Sequence, residues 1–403
     1  MGPRILSPSV AIAGGGPAGM MLGLLLARAG IEVVVLEKHA DFLRDFRGDT
    51  IHPSTLEVIH ELGWLDELLA RPHQEARELS GQVGGVAFTL ADFGHLPTRC
   101  RFVAFMPQWE LLDFMAEHAR RYAGFQLIMQ AEVTELIEEG GRVVGVRATT
   151  PDGPLEVRAP LTVGADGRGS TVRARSGLTV RDLGAPMDVL WMRLSRRPTD
   201  PAIPMGRLER GRVWVMIYRG DYWQCGFVIP KGEVDAIRAR GLDALRAAIV
   251  EVAPFLRDRV GELRDWDDIH LLTVKVDRLE RWWRWGLLCI GDAAHAMSPI
   301  GGVGINLAIQ DAVATANLLV EPLRDRTLTP EDLDRVQSRR EPPTRLTQRL
   351  QVFLQDRLVR PTLEARAAVR PPAVVRALAR WPVLQRIPAR VVGMGFRPEH
   401  VRV

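Results

Sequence analysis

The sequence predicts an α/β protein, with a Rossmann-like parallel sheet, a separate antiparallel sheet and C-terminal helices. Three stretches carry that prediction. Val10–Ala13 is a short apolar run followed by Gly14-Gly15-Gly16-Pro17-Ala18-Gly19, a helix-forming stretch ending at Gly30, and the β-branched run 31–37. The span 286–312 has an apolar strand, Asp292, a glycine-rich loop and the start of a helix. Between them, "DVLWMRLSRRP" and "GRVWVMIYRGDYWQCGFVIP" carry the alternation, aromatics and turn glycines of antiparallel strands.

The first stretch reads as strand, glycine turn, helix, strand. Gly14, Gly16 and Gly19 fit the G-x-G-x-x-G fingerprint of a Rossmann-like unit. One glycine makes the tight turn, one admits a pyrophosphate to the backbone, and one lets helix and strand pack closely. Pro17 suits a first helical turn, where a missing N–H costs nothing, and Ala18 follows it there. The helix N-terminus offers unpaired N–H groups to phosphates. Glu37 ends the second strand, where an acid can grip ribose hydroxyls. The motif alone does not distinguish FAD from NAD.

Composition narrows the rest. The chain has 403 residues, 46% hydrophobic and 25% charged, which suits a soluble globular protein with a sizeable core. The net charge of +4 comes from scattered arginines without interleaved aromatics, and so argues against nucleic-acid binding. Cys100, Cys225 and Cys289 are odd in number, far apart and lack metal-ligand spacing. They are expected to be reduced thiols in a cytoplasmic protein. The apolar run 10–36 is interrupted by glycines, Arg28 and Glu32, unlike a signal or spanning segment.

Two later motifs bear on the cofactor. "APLTVGADGRGSTVRARSGL" sets Asp166-Gly167 after an apolar strand, with Ser170 and Arg173 beyond. "GLLCIGDAAHAMSPIGGVGINLAIQDA" carries Gly291, Asp292, Ala293, Ala294, His295, Pro299, Gly304, Asn306 and Asp311 in one pattern. With the N-terminal fingerprint, Arg47 in "RDFRGDTIHPSTLEVIHELG" and Gln108 in "FMPQWELLDFMAEHA", the chain resembles the class A flavoprotein monooxygenases, the p-hydroxybenzoate hydroxylase-like family, over roughly residues 8–330. Val303 departs from the glutamine common there.

The resemblance implies non-covalent FAD. Besides the fingerprint residues, Lys38, Arg47, Gln108, Val133 and Asp166 are expected to contact it. Asp292, with Gly291, would hold a ribityl hydroxyl. The loop Pro299–Gly304, with Gly302, would lie against the flavin's pyrimidine edge. The helix starting at Gly304, with Ile305 and Asn306, would aim its N–H groups there, where reduced flavin is negative. His295 is expected to belong to the scaffold. NADPH or NADH would reduce the flavin as a transient donor, and a C4a-hydroperoxyflavin formed with O2 would hydroxylate an aromatic substrate. No side-chain nucleophile or metal is needed, and no catalytic residue is singled out.

The family fold interleaves an FAD-binding domain, expected at 1–75, 98–183 and 276–330, with an antiparallel-sheet substrate domain at 76–97 and 184–275. "GQVGGVAFTLADF" reads as sheet of the latter, and 131–163 as hairpins returning the chain to the former. Trp191, Met216, Tyr218, Tyr222 and Trp223 are candidates for lining a pocket for a bulky, mainly apolar aromatic substrate. "ERWWRWG" at 280–286 reads as packing at a strand's entry. Residues 331–403 form a C-terminal helical segment, starting near Thr329-Pro330. Its basic, apolar end is read as a cap or a dimer contact in a monomer or homodimer, with a membrane-touching segment as the sharper alternative. Two other functions remain open at this level: a reductase or dehydrogenase of isoprenoid or quinone substrates, and a non-catalytic FAD-binding regulator.

Overall fold

A computed structural model describes residues 3–43, 50–200, 205–209, 211–365 and 371–403. Strand β1 (Val10–Ala13) is buried throughout, as a central parallel strand should be. Helix α1 (Pro17–Arg28) buries every residue from Ala18 to Ala27. It ends where Gly30 takes a φ of +82° and donates to Ala27 O at 3.0 Å. The chain returns as β2 (Val33–Leu36), with Val33 opposite Val10.

Helix α2 (Pro53–Glu61) follows, and then a hairpin of β3 (Glu78–Val83) and β4 (Val86–Asp92) leaves for the second sheet. Helix α3 (Gln108–Ala119) leads back to β5 (Phe125–Ile128), which pairs with β2. The expected hairpins form from 132–139, 142–150 and 153–158, with Arg4–Leu6 added in parallel at their edge. Strand β6 (Leu161–Gly164) then pairs with β1 opposite to β2, and a short helix, α4 (Thr171–Arg175), follows.

The second sheet gains β7 (Met187–Ser195), β8 (Gly206–Glu209), β9 (Arg212–Tyr218), β10 (Tyr222–Pro230) and, after helix α5 (Leu242–Val252), β11 (Ile269–Leu272). Its order is β11-β7-β10-β9-β8-β3-β4. Only β8 and β3 run parallel. One face packs Leu190, Met192, Trp214, Met216, Trp223 and Phe227 against Leu245 and Ile249 of α5. The opposite face presents Val189, Trp191, Val213, Val215 and Ile217 to the rest of the protein.

Strand β12 (Leu287–Cys289) completes the first sheet beside β6, giving β12-β6-β1-β2-β5, all parallel, with Trp283–Arg284 antiparallel at the edge. Helix α6 (Gly304–Arg324) buries every residue from Ile305 to Ala316, between α1 and α7 (Pro330–Leu354). By length and composition α6 could cross a bilayer, but its burial makes it a core helix. The expected start of α7 is a capping box between Thr329 and Asp332. Helices α8 (Ala373–Arg380) and α9 (Arg386–Met394) then pack on β4.

Candidate active site

The glycine turn sits at the carboxyl ends of β1 and β2, and its glycines differ in what they permit. Gly14 has a φ of +103°, and a methyl group there would stand 2.4 Å from the Ala165 carbonyl oxygen. At Gly19 it would meet the Gly14 carbonyl at 2.0 Å. At Gly16 it would meet nothing within 4 Å. Two glycines therefore serve close packing, and the third leaves open space at the start of α1. The first intrahelical bond runs from Met20 N to Gly16 O at 2.9 Å, so the Ala18 and Gly19 N–H groups precede the helix ladder. Pro17 has none to offer.

Glu37 is fixed over this turn. Its carboxylate accepts from Gly15 N at 2.9 Å and His39 N at 3.1 Å. The Gln130 and Ala131 N–H groups bond the His39 and Glu37 carbonyls, each at 2.9 Å, which brings Val133 to the edge where Lys38 is exposed. Gln108 is the first residue of α3 and is half-buried. Arg47 lies outside the described residues.

The two motif acids behave differently. Asp166 turns inward, accepting from Ser170 Oγ at 2.5 Å and Val172 N at 3.0 Å, and so closes the start of α4. Burial pushes its carboxyl up, against the pull of those bonds. Asp292 is half-buried beyond β12, and its Oδ2 accepts from Arg168 Nε at 2.9 Å. Arg168 thus joins the Asp166 and Asp292 loops.

After Pro299, Gly301 and Gly302 take φ values of +81° and +64°. A methyl at Gly302 would lie 2.4 Å from Thr50 Oγ1, which donates to the Gly302 carbonyl at 2.8 Å. Gly304 opens α6 with nothing within 4 Å of a Cβ position, and Ile305 behind it is buried. The Asn306 side chain serves the protein. Its Oδ1 accepts from His52 N at 2.9 Å and Thr55 Oγ1 at 2.7 Å, and its Nδ2 donates to Thr50 O at 3.3 Å. The loop therefore offers a ligand the backbone N–H groups of 304–306, at the end of a long helix. Two open helix N-termini, with Glu37 and Asp292 nearby, fit the pyrophosphate, ribose and ring of an FAD.

Behind the loop, His295 Nε2 and Asp311 Oδ2 are 2.6 Å apart and fully buried. Asp311 also accepts from Gly291 N at 3.0 Å and Arg340 Nε at 2.9 Å. Burial would raise the Asp311 carboxyl, but His295 and Arg340 outweigh it and hold it below its usual range. The Trp282 ring packs tilted at 43° against the His295 ring, 4.9 Å between centroids, in keeping with the packing expected of the tryptophan cluster.

The five aromatic and Met candidates do not share a face. Trp191 lies on the inner face over Gly226, where a methyl group would stand 3.0 Å from the indole. Its N–H is buried with no partner among the described residues. Tyr222 shares that face by register, with the Arg193 guanidinium 3.8 Å over its ring. Met216 and Trp223 belong to the α5 side, at 3% and 6% exposure, and Trp223 Nε1 donates to Asp200 at 2.8 Å. Tyr218 pairs with Trp223 in the β9–β10 register and is 39% exposed. These three cannot line an inner-face pocket, because the sheet stands between. Arg168 went unforeseen as a site residue, because nothing local in the sequence marks it as the partner of Asp292.

The family model described as FAD binding domain matches residues 8–349. A 6-methylpretetramide 4-monooxygenase from Streptomyces rimosus is 38% identical over 386 residues, covering 94% of this chain and 91% of that protein. A 12-dehydrotetracycline 5-monooxygenase/anhydrotetracycline 6-monooxygenase from Streptomyces rimosus subsp. rimosus is 30% identical, covering 83% of this chain and 66% of that longer protein. Among solved structures, the OxyS anhydrotetracycline hydroxylase from Streptomyces rimosus superposes with a TM-score of 0.75 at 26% identity, covering 96% of this chain and 76% of that one.

Proposed function

The chain belongs to the FAD-binding class A flavoprotein monooxygenases, and we propose that its substrate is a polycyclic phenolic compound of the polyketide type. The enzyme is an FAD-dependent, NAD(P)H-using monooxygenase. Bound FAD supplies the chemistry, taking electrons from NAD(P)H and delivering one atom of O2. The protein binds, orients and excludes water. The α1 N-terminus and Gly16 receive the pyrophosphate, Glu37 the ribose, and Asp292 the ribityl chain. The N–H groups of 304–306 stabilise negative charge at the ring's pyrimidine edge. The substrate lies between the loop at Pro299–Gly302 and the inner sheet face around Trp191. We assign the parallel sheet with α1, α3 and α6 to FAD binding and the seven-stranded sheet to the substrate.

One observation carries the substrate class: the 38% identity, extending over nearly the whole of both chains, to an enzyme named for 6-methylpretetramide. The apolar inner face agrees with it. The test is NAD(P)H oxidation and O2 uptake with tetracyclic phenols against single-ring phenols. Stimulation by the tetracycles, with one oxygen atom incorporated per NAD(P)H, is the expected result. Oxidation without O2 uptake, with the electrons recovered in reduced substrate, would indicate a reductase; O2 uptake without incorporation would mark uncoupled release of hydrogen peroxide, and no stimulation would remove the substrate class. Three buried free cysteines favour a cytoplasmic setting. The C-terminal segment exposes Val374, Trp381, Val383 and Ile387 beside Arg376, Arg380, Arg386 and Arg390. That surface favours a peripheral membrane contact, which vesicle flotation tests.

A further inference from the structure

Helix α7 and the turn that continues it carry Gln337, Gln348, Gln351 and Gln355. All four are buried, Gln348 and Gln355 to 1% exposure and Gln351 to 3%. A buried amide is costly unless bonded. These amides bond one segment of the chain, residues 277–300, mostly through its main chain. Gln337 accepts from Trp282 N at 2.9 Å and donates to Glu280 O at 3.0 Å. Gln348 donates to Asp277 O at 2.8 Å and Ala296 O at 3.1 Å. Gln351 accepts from Ser298 N at 3.1 Å and donates to the Ser298 and Ile300 carbonyls, both at 2.9 Å. Gln355 donates to Ser298 Oγ at 2.8 Å.

The ladder converges on Pro299. Proline has no N–H, so the peptide before it cannot anchor itself by donating. Gln351 instead grips the carbonyls on both sides of Pro299 with one amide group. A leucine or methionine would fill the same volume if packing were the only requirement. The geometry points to Gln351 as a positioning residue for the flavin. It fixes the direction of Pro299 and of the turn into α6, and so fixes where the N–H groups of 304–306 aim. This rests on the reading that the loop faces the flavin ring.

The test compares three variants of the FAD-loaded protein. Gln351→Met removes the amide at nearly constant volume, and FAD should dissociate about tenfold more readily, as expected from the loss of its three hydrogen bonds to the loop. The flavin's visible spectrum and reduction potential should shift with it. Gln337→Met removes a similar pair of bonds 14 residues earlier on the same helix. It should lower stability while leaving FAD affinity within about twofold, because Glu280 and Trp282 lie outside the loop. Gly304→Asp places a carboxylate at the α6 N-terminus and should lower the flavin's reduction potential.

If Gly304→Asp shifts the potential and Gln351→Met leaves affinity, spectrum and potential unchanged, the positioning role is overturned. Equal loss of FAD affinity in Gln351→Met and Gln337→Met overturns it too, since both would then be merely structural. If neither Gly304→Asp nor Gln351→Met moves the flavin, the loop does not face the ring, and the reading fails with the inference. Should Gln351→Met fail to fold, Gln355→Met, which loses only the Ser298 hydroxyl bond, must show a smaller shift in the same direction. No shift there overturns the role.

Discussion

The three fingerprint glycines look alike in sequence and separate only when the space around each is known. Gly14 and Gly19 abut backbone carbonyls, whereas Gly16 faces open space. Gly16→Val should therefore fold with a thermal midpoint close to that of the parent stripped of FAD, and should not retain FAD, because the branched side chain occupies the pyrophosphate's place. Gly19→Ala should be destabilised by at least about 2 kcal/mol, since the Gly14 backbone cannot yield. Flavin content and thermal unfolding of the two variants check this. A Gly16→Val protein that keeps its flavin contradicts the cradle. The fingerprint was legible because each glycine answers a local backbone demand. The orientations of Asp166 and Asp292 were not, because a carboxylate turns to whatever donor the fold brings it. For Asp292 that is Arg168, 124 residues away in sequence.

Elements were legible where their signals are local. The βαβ unit and the start of α7 at Thr329-Pro330 follow from glycine, proline and capping chemistry. The edge strand Arg4–Leu6 has only three residues and owes its form to pairing with 155–157. The junction of α2 with α9 was also invisible, and it carries a pH dependence. His52, just before α2, is buried, with Nδ1 placed 2.7 Å from the Val392 carbonyl of α9. Burial lowers its pKa from 6.5 to about 4, against the raising effect of that bond. The folded state therefore refuses a proton that the unfolded chain accepts below 6.5. The stabilisation is complete above that pH and is lost as the pH falls towards 4. Between pH 7.5 and 5 the loss from this group should be about 2 kcal/mol. Denaturant unfolding at the two pH values checks it. His52→Gln, which retains a donor for Val392, should flatten the dependence by that amount. An unchanged slope would mean that His52 titrates normally.

At the scale of the molecule, the sequence showed that 188–198 and 211–230 read as strand but not which alternate faces the flavin side. Both sets in β9 are apolar: Val213, Val215 and Ile217 against Trp214 and Met216. A sheet covered on both sides has no polar face to mark the exterior. The deciding information is where α5 packs, and α5 follows β10 in the chain. The two faces should answer differently to substitution. Met216→Ala empties part of the core between sheet and α5 and should cost about 2–4 kcal/mol of stability. The enzyme that remains folded should keep its KM and its tight coupling of NAD(P)H oxidation to oxygenation. Trp191→Ala removes an indole from the inner face, where its N–H has no partner among the described residues. Trp191 is half-buried, so the stability change should be smaller than for a fully buried tryptophan. KM should rise by about tenfold or more, and more NAD(P)H should be consumed without product, as a loosened site admits water. Measuring unfolding, KM and coupling for both variants separates the faces. If Met216→Ala raised KM while Trp191→Ala did not, the substrate would lie on the α5 side, and the inner face would be only the seam between the two sheets.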